Sequence, residues 1–286
     1  MQILFRTLLA VIDRGDCKTN GKSGGSPGRK KVYEHAFTST AYPANARLFI
    51  HNELTYTLTP PKYIFFFCVQ PSAIGGETAI ADSREIYSKI DPTITKQLED
   101  RNVKYSRMFI DEKRLAEIDP QNHQLAKTWQ LAFNVQNSKE AEHLARQVGY
   151  EDIRWYPNGD MYIRTKSLPA TRPNEKIWFN QVQGWDPRIA VDVKAINENL
   201  HLTIHHPYEE LFQYYPQGCY YGNTDEIISY DELKHINDIT WSCAHNLDWK
   251  QGDLLWIDNF QTAHGKRPHV DNDQQQRQIL ASLADP

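Results

Sequence analysis

The chain has 286 residues, 40% of them hydrophobic and 24% charged, with a net charge of −4 and a mean hydropathy of −0.65. This is a globular composition, long enough to bury a large core. The charge balance gives no electrostatic ground for nucleic acid or an anionic membrane as partner, and no stretch approaches the roughly 20 apolar residues of a membrane span.

Residues 1–12 are apolar, but Arg6 interrupts them and Asp13-Arg14-Gly15-Asp16 stands where a cleavage site would need small residues. They are read as a short helix or strand, not a signal peptide. Residues 15–31 are rich in Gly, Ser, Lys and Pro and predict a surface loop, in which Arg29-Lys30-Lys31 is a solvated run. Strands are predicted over 63–70, 176–181, 253–258 and 277–284, each bounded by Gly, Pro, Asn or Asp. Asp82-Ser83-Arg84-Glu85 has the pattern of a capping box opening a helix toward Ile90. Asp91-Pro92 places a cap and then proline at the first position of a helix running to about Arg101. Ser138 precedes a helix over 139–148, with Glu140 and Glu142 in its first turn and Gly149 as its stop. A further helix is expected around 231–236.

The sequence shows no internal repeat and no composition break. Residues 1–25 are set apart as an N-terminal segment, a shortened remnant, and residues 26–286 form one domain. Cys17, Cys68, Cys219 and Cys243 lie far apart without a CxxC pair, which fits a reducing, cytoplasmic location. The fold class expected is α+β, mainly β: a sandwich or jelly roll with helices packed outside.

His51-Asn52-Glu53 follows the strand-like Arg47-Leu48-Phe49-Ile50. In an extended chain residues i and i+2 point to the same side, so His51 and Glu53 can face one metal ion. One imidazole and one carboxylate are two-thirds of a facial triad, which leaves the opposite face of an octahedral ion open. An isolated HxE is more commonly a solvated surface pair. The third candidate is His264, read as lying at the end of the apolar strand that starts at Asp253, with Gly265 allowing a tight turn. A histidine bonded to backbone at a strand end is the plainer alternative.

The polar stretch 266–276 is read as a hairpin that returns Arg277 beside the metal-bearing strand. A guanidinium there can chelate the distal carboxylate of a dicarboxylate. Gly75-Gly76-Glu77-Thr78 supplies two glycines that let backbone approach a ligand and a hydroxyl that can donate to the same carboxylate.

The ordered set resembles the taurine dioxygenase (TauD/TfdA) superfamily, and within it the SyrP-like branch of amino-acid hydroxylases. The resemblance runs from about Ser26 to the C-terminus. It is carried by Phe37-Thr-Ser-Thr-Ala-Tyr-Pro43, His51-Asn-Glu-Leu-Thr-Tyr56, Pro60-Pro61, Phe66-Phe-Cys-Val-Gln-Pro71 and Gly75-Gly-Glu-Thr-Ala-Ile-Ala-Asp-Ser-Arg84. Trp178-Phe-Asn-Gln181, Cys219-Tyr-Tyr-Gly222 and Asp258-Asn259 with His264-Gly265 complete it.

The resemblance implies a double-stranded β-helix holding Fe(II) on His51, Glu53 and His264, with Thr78 and Arg277 on 2-oxoglutarate. Asn180 and Gln181 would contact substrate. The implied reaction uses O2 to decarboxylate 2-oxoglutarate to succinate and to hydroxylate an unactivated C–H bond of an amino acid, free or tethered to a carrier protein. Glu53 fills the position that is small in related halogenases, which implies hydroxylation. Ala281 stands where taurine dioxygenases carry a sulfonate-reading arginine, so a sulfonate substrate is not expected. Gln183 stands where SyrP-like relatives often carry histidine. Relatives usually have several dozen more residues ahead of the matching region. The alternative is therefore an inactive jelly-roll remnant that binds metal or 2-oxoglutarate without turnover.

Overall fold

The computed structural model describes residues 18–19, 31–33, 36–39, 42–118, 127–172, 174–191 and 204–285. Residues 1–12, most of the 15–31 loop and most of the N-terminal segment lie outside them.

Two antiparallel sheets form the core. The larger runs in the order Leu254–Asp258, Tyr63–Gln70, Gln278–Asp285, Ala36–Thr38, Lys31–Tyr33, with Lys18–Thr19 also paired to Gln278–Asp285. The smaller runs His245–Leu247, Thr78–Asp82, Thr262–Lys266, Leu48–His51. From Leu48 onward the chain alternates between them: Leu48–His51 lies in the smaller sheet, Tyr63–Gln70 in the larger and Thr78–Asp82 in the smaller. After a long insertion it alternates again, with Leu254–Asp258 in the larger sheet, Thr262–Lys266 in the smaller and Gln278–Asp285 in the larger. This alternation is the jelly roll.

Period-two packing explains the unbroken apolar run of Tyr63–Gln70. Ile64, Phe66 and Cys68 join the core between the sheets, while Phe67 packs with Ala36 and Leu280 in a separate cluster. Both faces of that strand are covered, so hydrophobic residues occupy both registers. Leu254–Asp258 is an edge strand, and its Trp256 is 60% exposed.

The long insertion builds a third sheet in the order Gln217–Tyr221, Val103–Phe109, Met161–Thr165, Tyr150–Trp155. Helices flank the sheets. Pro92–Arg101 has the predicted bounds, with Asp91 accepting from the Thr93 N–H at 2.7 Å. Ser83–Lys89 is capped by Asp82 through the Arg84 N–H at 2.8 Å, but Glu85 pairs with Lys89 at 2.7 Å, so this is a simple cap and not a box. Ser138–Val148 is capped by Asn137, one residue before the expected Ser138, and stops at Gly149 with φ 111°. A reciprocal box is instead made by Ser229 and Glu232, and it opens Tyr230–Ser242, a longer helix than the one expected over 231–236. Each such cap contributes about 1 kcal/mol.

Two expectations on strands change. The strand over 176–181 shrinks to Ile177–Trp178 because the Asn180 side-chain Oδ1 accepts from the Val182 N–H at 3.2 Å and turns the chain into the 3-10 turn Val182–Trp185. The loop over 15–31 contains the paired residues Lys18–Thr19 and ends on the strand beginning at Lys31. Among the described residues no helix is long and apolar enough to cross a membrane.

Candidate metal centre

His51 and His264 meet because their strands are neighbours in the smaller sheet, with the two residues opposite each other in register. Their ring centroids lie 4.6 Å apart. His51 Nδ1 donates to the Phe49 carbonyl at 2.7 Å; that oxygen can only accept, so Nε2 is left as a lone-pair donor facing His264. His264 packs against Phe66, with centroids 5.3 Å apart, and its Nε2 lies 3.8 Å from Glu53 Oε2.

The positions of His264 and Gly265 differ from the sequence reading. His264 is not at the end of the Asp253 strand. That strand ends at Asp258, and His264 lies in the middle of the next one, Thr262–Lys266, in the opposite sheet. Gly265 is no turn residue. A Cβ there would stand 2.6 Å from the Leu48 carbonyl oxygen and 3.2 Å from the Ile50 nitrogen, so glycine is needed where the His51 strand presses close at a register irregularity.

Glu53 is likewise not delivered by strand alternation. The strand ends at His51, and Glu53 sits in a turn in which Leu54 has φ 55°. What fixes it is Asn259. The Glu53 N–H donates to Asn259 Oδ1 at 2.7 Å, and Asn259 Nδ2 donates to the carbonyls of Glu53 (3.1 Å) and Pro61 (2.8 Å). Asn52 adds a tie from its Nδ2 to the Asn259 carbonyl at 2.8 Å. Both asparagines are fully buried.

One donor atom from each of His51, Glu53 and His264 lies within 4.8 Å of the others. A six-coordinate ion with bonds of about 2.1 Å holds adjacent donors about 3 Å apart, so small side-chain rotations close the set. Two imidazoles and a carboxylate suit iron(II).

The same cavity is lined by Phe66, Thr78, Lys266, Arg277 and Ile279. Thr78 Oγ accepts from the Trp249 indole N–H at 3.0 Å, which leaves the hydroxyl's own proton to be donated. Arg277 does not come back beside the His264 strand through a hairpin. It precedes Gln278–Asp285 in the opposite sheet and reaches the cavity across the sandwich. Its Nε donates to the Gly76 carbonyl at 3.1 Å, and a Cβ on Gly76 would lie 3.0 Å from both its Cδ and its Nε. Glycine at this position leaves room for the Arg277 side chain and for Ser72 Oγ, which a Cβ would approach to 2.5 Å. Burial lowers the Arg277 pKa from its ordinary value.

Lys266 is a cavity residue that the sequence reading missed. It stands two residues beyond His264 on the same strand, so period-two counting alone places both on one side. Its ammonium donates to the Pro43 and Ala44 carbonyls at 3.2 and 3.4 Å. Burial, reinforced by Arg277, pushes its pKa down to about 8.

Asn180 and Gln181 do not line this cavity. The Asn180 side chain donates to the Ala170 carbonyl at 2.7 Å and accepts from Val182, and Gln181 Nε2 donates to Thr55 Oγ1 at 3.1 Å. Gln183 Nε2 donates to the Ile50 carbonyl at 2.6 Å, bracing the residue before His51.

The jelly roll and the His–Glu–His cluster define the class of protein, a metal-dependent oxygenase scaffold, and the comparisons name the family. The family model described as "Taurine catabolism dioxygenase TauD, TfdA family" matches residues 16–283. The chain belongs to the TauD/TfdA family, whose dioxygenases use iron(II) and 2-oxoglutarate. It is similar to the dapdiamide synthesis protein DdaC of Enterobacter agglomerans, 27% identical over 263 residues, covering 90% of this chain and 71% of that protein. It is also similar to a clavaminate synthase-like protein of Arabidopsis thaliana, 24% identical over 274 residues, covering 91% and 72%. Among solved structures, the asparagine oxygenase AsnO aligns with a TM-score of 0.48 at 11% identity, over 90% of this chain and 58% of that one. The chain thus spans less than two thirds of that structure's length.

Proposed function

We propose that the protein is an iron(II)- and 2-oxoglutarate-dependent dioxygenase that hydroxylates an unactivated C–H bond of an amino acid or amino-acid-derived substrate, in the cytoplasm. The observation that carries this is the convergence of His51, Glu53 and His264 in one cavity with Thr78 and Arg277. Family membership supports the reaction class, and the resemblance to amino-acid hydroxylases supports the substrate class.

Iron(II) bound by the three side chains would bring 2-oxoglutarate and O2 together and supply the oxidising power. The balance is 2-oxoglutarate + O2 + R–H giving succinate + CO2 + R–OH. The protein's own groups orient and neutralise. The Phe49 carbonyl fixes the His51 tautomer, so that Nε2 faces the ion. Glu53 brings the anionic ligand. Arg277 and the Thr78 proton take the distal carboxylate of 2-oxoglutarate, with the buried Lys266 charge adding to the field. Phe66, Leu48 and Ile279 keep that end of the cavity dry.

The test is succinate formation by purified, iron-loaded protein with 2-oxoglutarate in air, with and without a panel of amino acids. Succinate stimulated by an amino acid and abolished in Glu53→Ala supports the reading. No succinate above the Glu53→Ala level supports the binding-only remnant.

A further inference from the structure

Arg107 lies in the strand Val103–Phe109 and is 9% exposed. Its neighbour in register, Gln217, accepts from Nη2 at 2.7 Å, and its guanidinium lies 4.4 Å from the centroid of the Trp185 ring. These two contacts fix the plane of the group. Nε and Nη1 are buried from solvent and have no hydrogen-bond partner, and among the described residues no carboxylate pairs with the charge. The Tyr150 hydroxyl, close enough to feel the Arg107 charge, is also buried without a partner. Lys127 stands nearby as a second cation; burial lowers its pKa, and Arg107 lowers it further.

A buried cation with two idle donors is unfavourable unless an anion completes it. The geometry is suited to a carboxylate. Nη2 carries two protons and Gln217 takes one. The other still points alongside either Nε–H or Nη1–H, so one complete two-donor fork stays open. Arg107 is linked through an aromatic cluster to the turn that carries Glu53. Trp185, on which Arg107 lies, meets Tyr56 at 4.9 Å and Tyr105 at 5.1 Å, and Tyr56 is three residues beyond Glu53. Arg107 is not among the residues lining the Arg277 cavity, so it is not spent on 2-oxoglutarate.

We propose that Arg107 is the receptor for the carboxylate of a free amino-acid substrate, held through the guanidinium fork that Gln217 leaves open. The inference rests on the dioxygenase reading and narrows it. An amino acid tethered to a carrier has its carboxyl group tied up as a thioester and offers no charge to this receptor, so the substrate is the free acid.

The test uses the full chain loaded anaerobically with Fe(II) and 2-oxoglutarate, loading being confirmed by the visible charge-transfer absorption. The melting temperature is then measured with each proteinogenic L-amino acid, with its methyl ester and with the primary amine lacking the carboxyl group. At least one amino acid raises the melting temperature, while its ester and amine do not. Arg107→Met keeps the absorption band and weakens that amino acid's binding on the order of 100-fold, as loss of one partner of a buried charge pair does. Arg107→Lys, which keeps the charge and loses the fork, falls between the two. An ester or amine that binds as well as its acid, an Arg107→Met protein that responds like the wild type, or no response to any amino acid in a loaded protein overturns the proposal. A wild-type protein that never develops the band removes the dioxygenase reading itself, and the inference falls with it.

Discussion

Asn259 and Glu53 are joined by a reciprocal pair of hydrogen bonds, the Glu53 N–H to Asn259 Oδ1 at 2.7 Å and Asn259 Nδ2 to the Glu53 carbonyl at 3.1 Å. The carboxylate of the candidate metal centre is thus positioned by a side chain 206 residues away in sequence. Asn259→Ala leaves a buried N–H and two carbonyls without their partner, which costs about 1–3 kcal/mol of stability. It also loosens the turn that carries Glu53, and metal affinity falls about 10- to 100-fold, the usual effect of losing a residue that orients a ligand. Chemical denaturation and a metal titration of the same variant check both effects; an unchanged metal affinity would remove Asn259 from the positioning role.

Arg277→Ala removes the guanidinium held against the Gly76 carbonyl in the metal cavity. A charge-assisted bidentate pair contributes about 1.5–3 kcal/mol, so the dissociation constant for 2-oxoglutarate rises about 10- to 150-fold while metal binding stays intact. Trp249→Phe removes the N–H that holds the Thr78 hydroxyl, and its effect is in the same direction and smaller. Calorimetric titration with 2-oxoglutarate measures both, and equal affinities in wild type and Arg277→Ala would exclude the role.

Gly265→Ala drives a methyl group into the Leu48 carbonyl oxygen, 2.6 Å from the ideal Cβ, and parts the two strands that present His51 and His264. Overpacking of this kind costs about 1–3 kcal/mol, and here it also spreads the metal ligands. Gly184→Ala is the control, since its Cβ meets Phe49 at an ordinary 3.5 Å. The expected result is weaker metal binding and a lower melting temperature for Gly265→Ala alone.

Much of the architecture was legible because its determinants are local. Asp91-Pro92 and Gly149 set helix ends through their own backbone preferences, and the apolar run over 63–70 marks a strand covered on both faces. The residues of the candidate metal centre were legible one by one, but not the geometry that brings them together. His51 and His264 are partners because two strands pair across more than two hundred residues, and nothing near either histidine encodes that pairing. The reading of a strand-end histidine followed by a turn failed at Gly265, where the glycine answers a neighbouring strand and not a bend. Asn180 was read as a substrate contact through the resemblance; its side chain binds the Ala170 carbonyl and the Val182 N–H and does not line the metal cavity. Lys266 was within reach of simple alternation from His264. Arg107 was not, since an arginine on a strand carries no mark of lacking an acidic partner.

Burial pushes the Cys68 thiol from its ordinary 9.0 up to about 11. The unfolded chain therefore releases this proton first as pH rises, and between pH 9 and 11 the folded state binds more protons than the unfolded one. Stability contributed by this thiol is present below pH 9 and is lost through that window. Melting curves should fall more steeply with pH above 9 in the wild type than in Cys68→Ala; parallel curves would contradict the assignment.

If His51, Glu53 and His264 hold one iron(II) ion to which 2-oxoglutarate binds, an anaerobic titration will reveal it. Purified protein with saturating 2-oxoglutarate is titrated with Fe(II) while visible absorption is recorded, alongside His264→Ala and Glu53→Ala. The expected result is a charge-transfer band that saturates at one equivalent of iron in the wild type, with both variants losing it or needing far more metal. A folded wild-type protein that develops no band, or a His264→Ala protein that develops it at the same equivalence, would rule out this iron site.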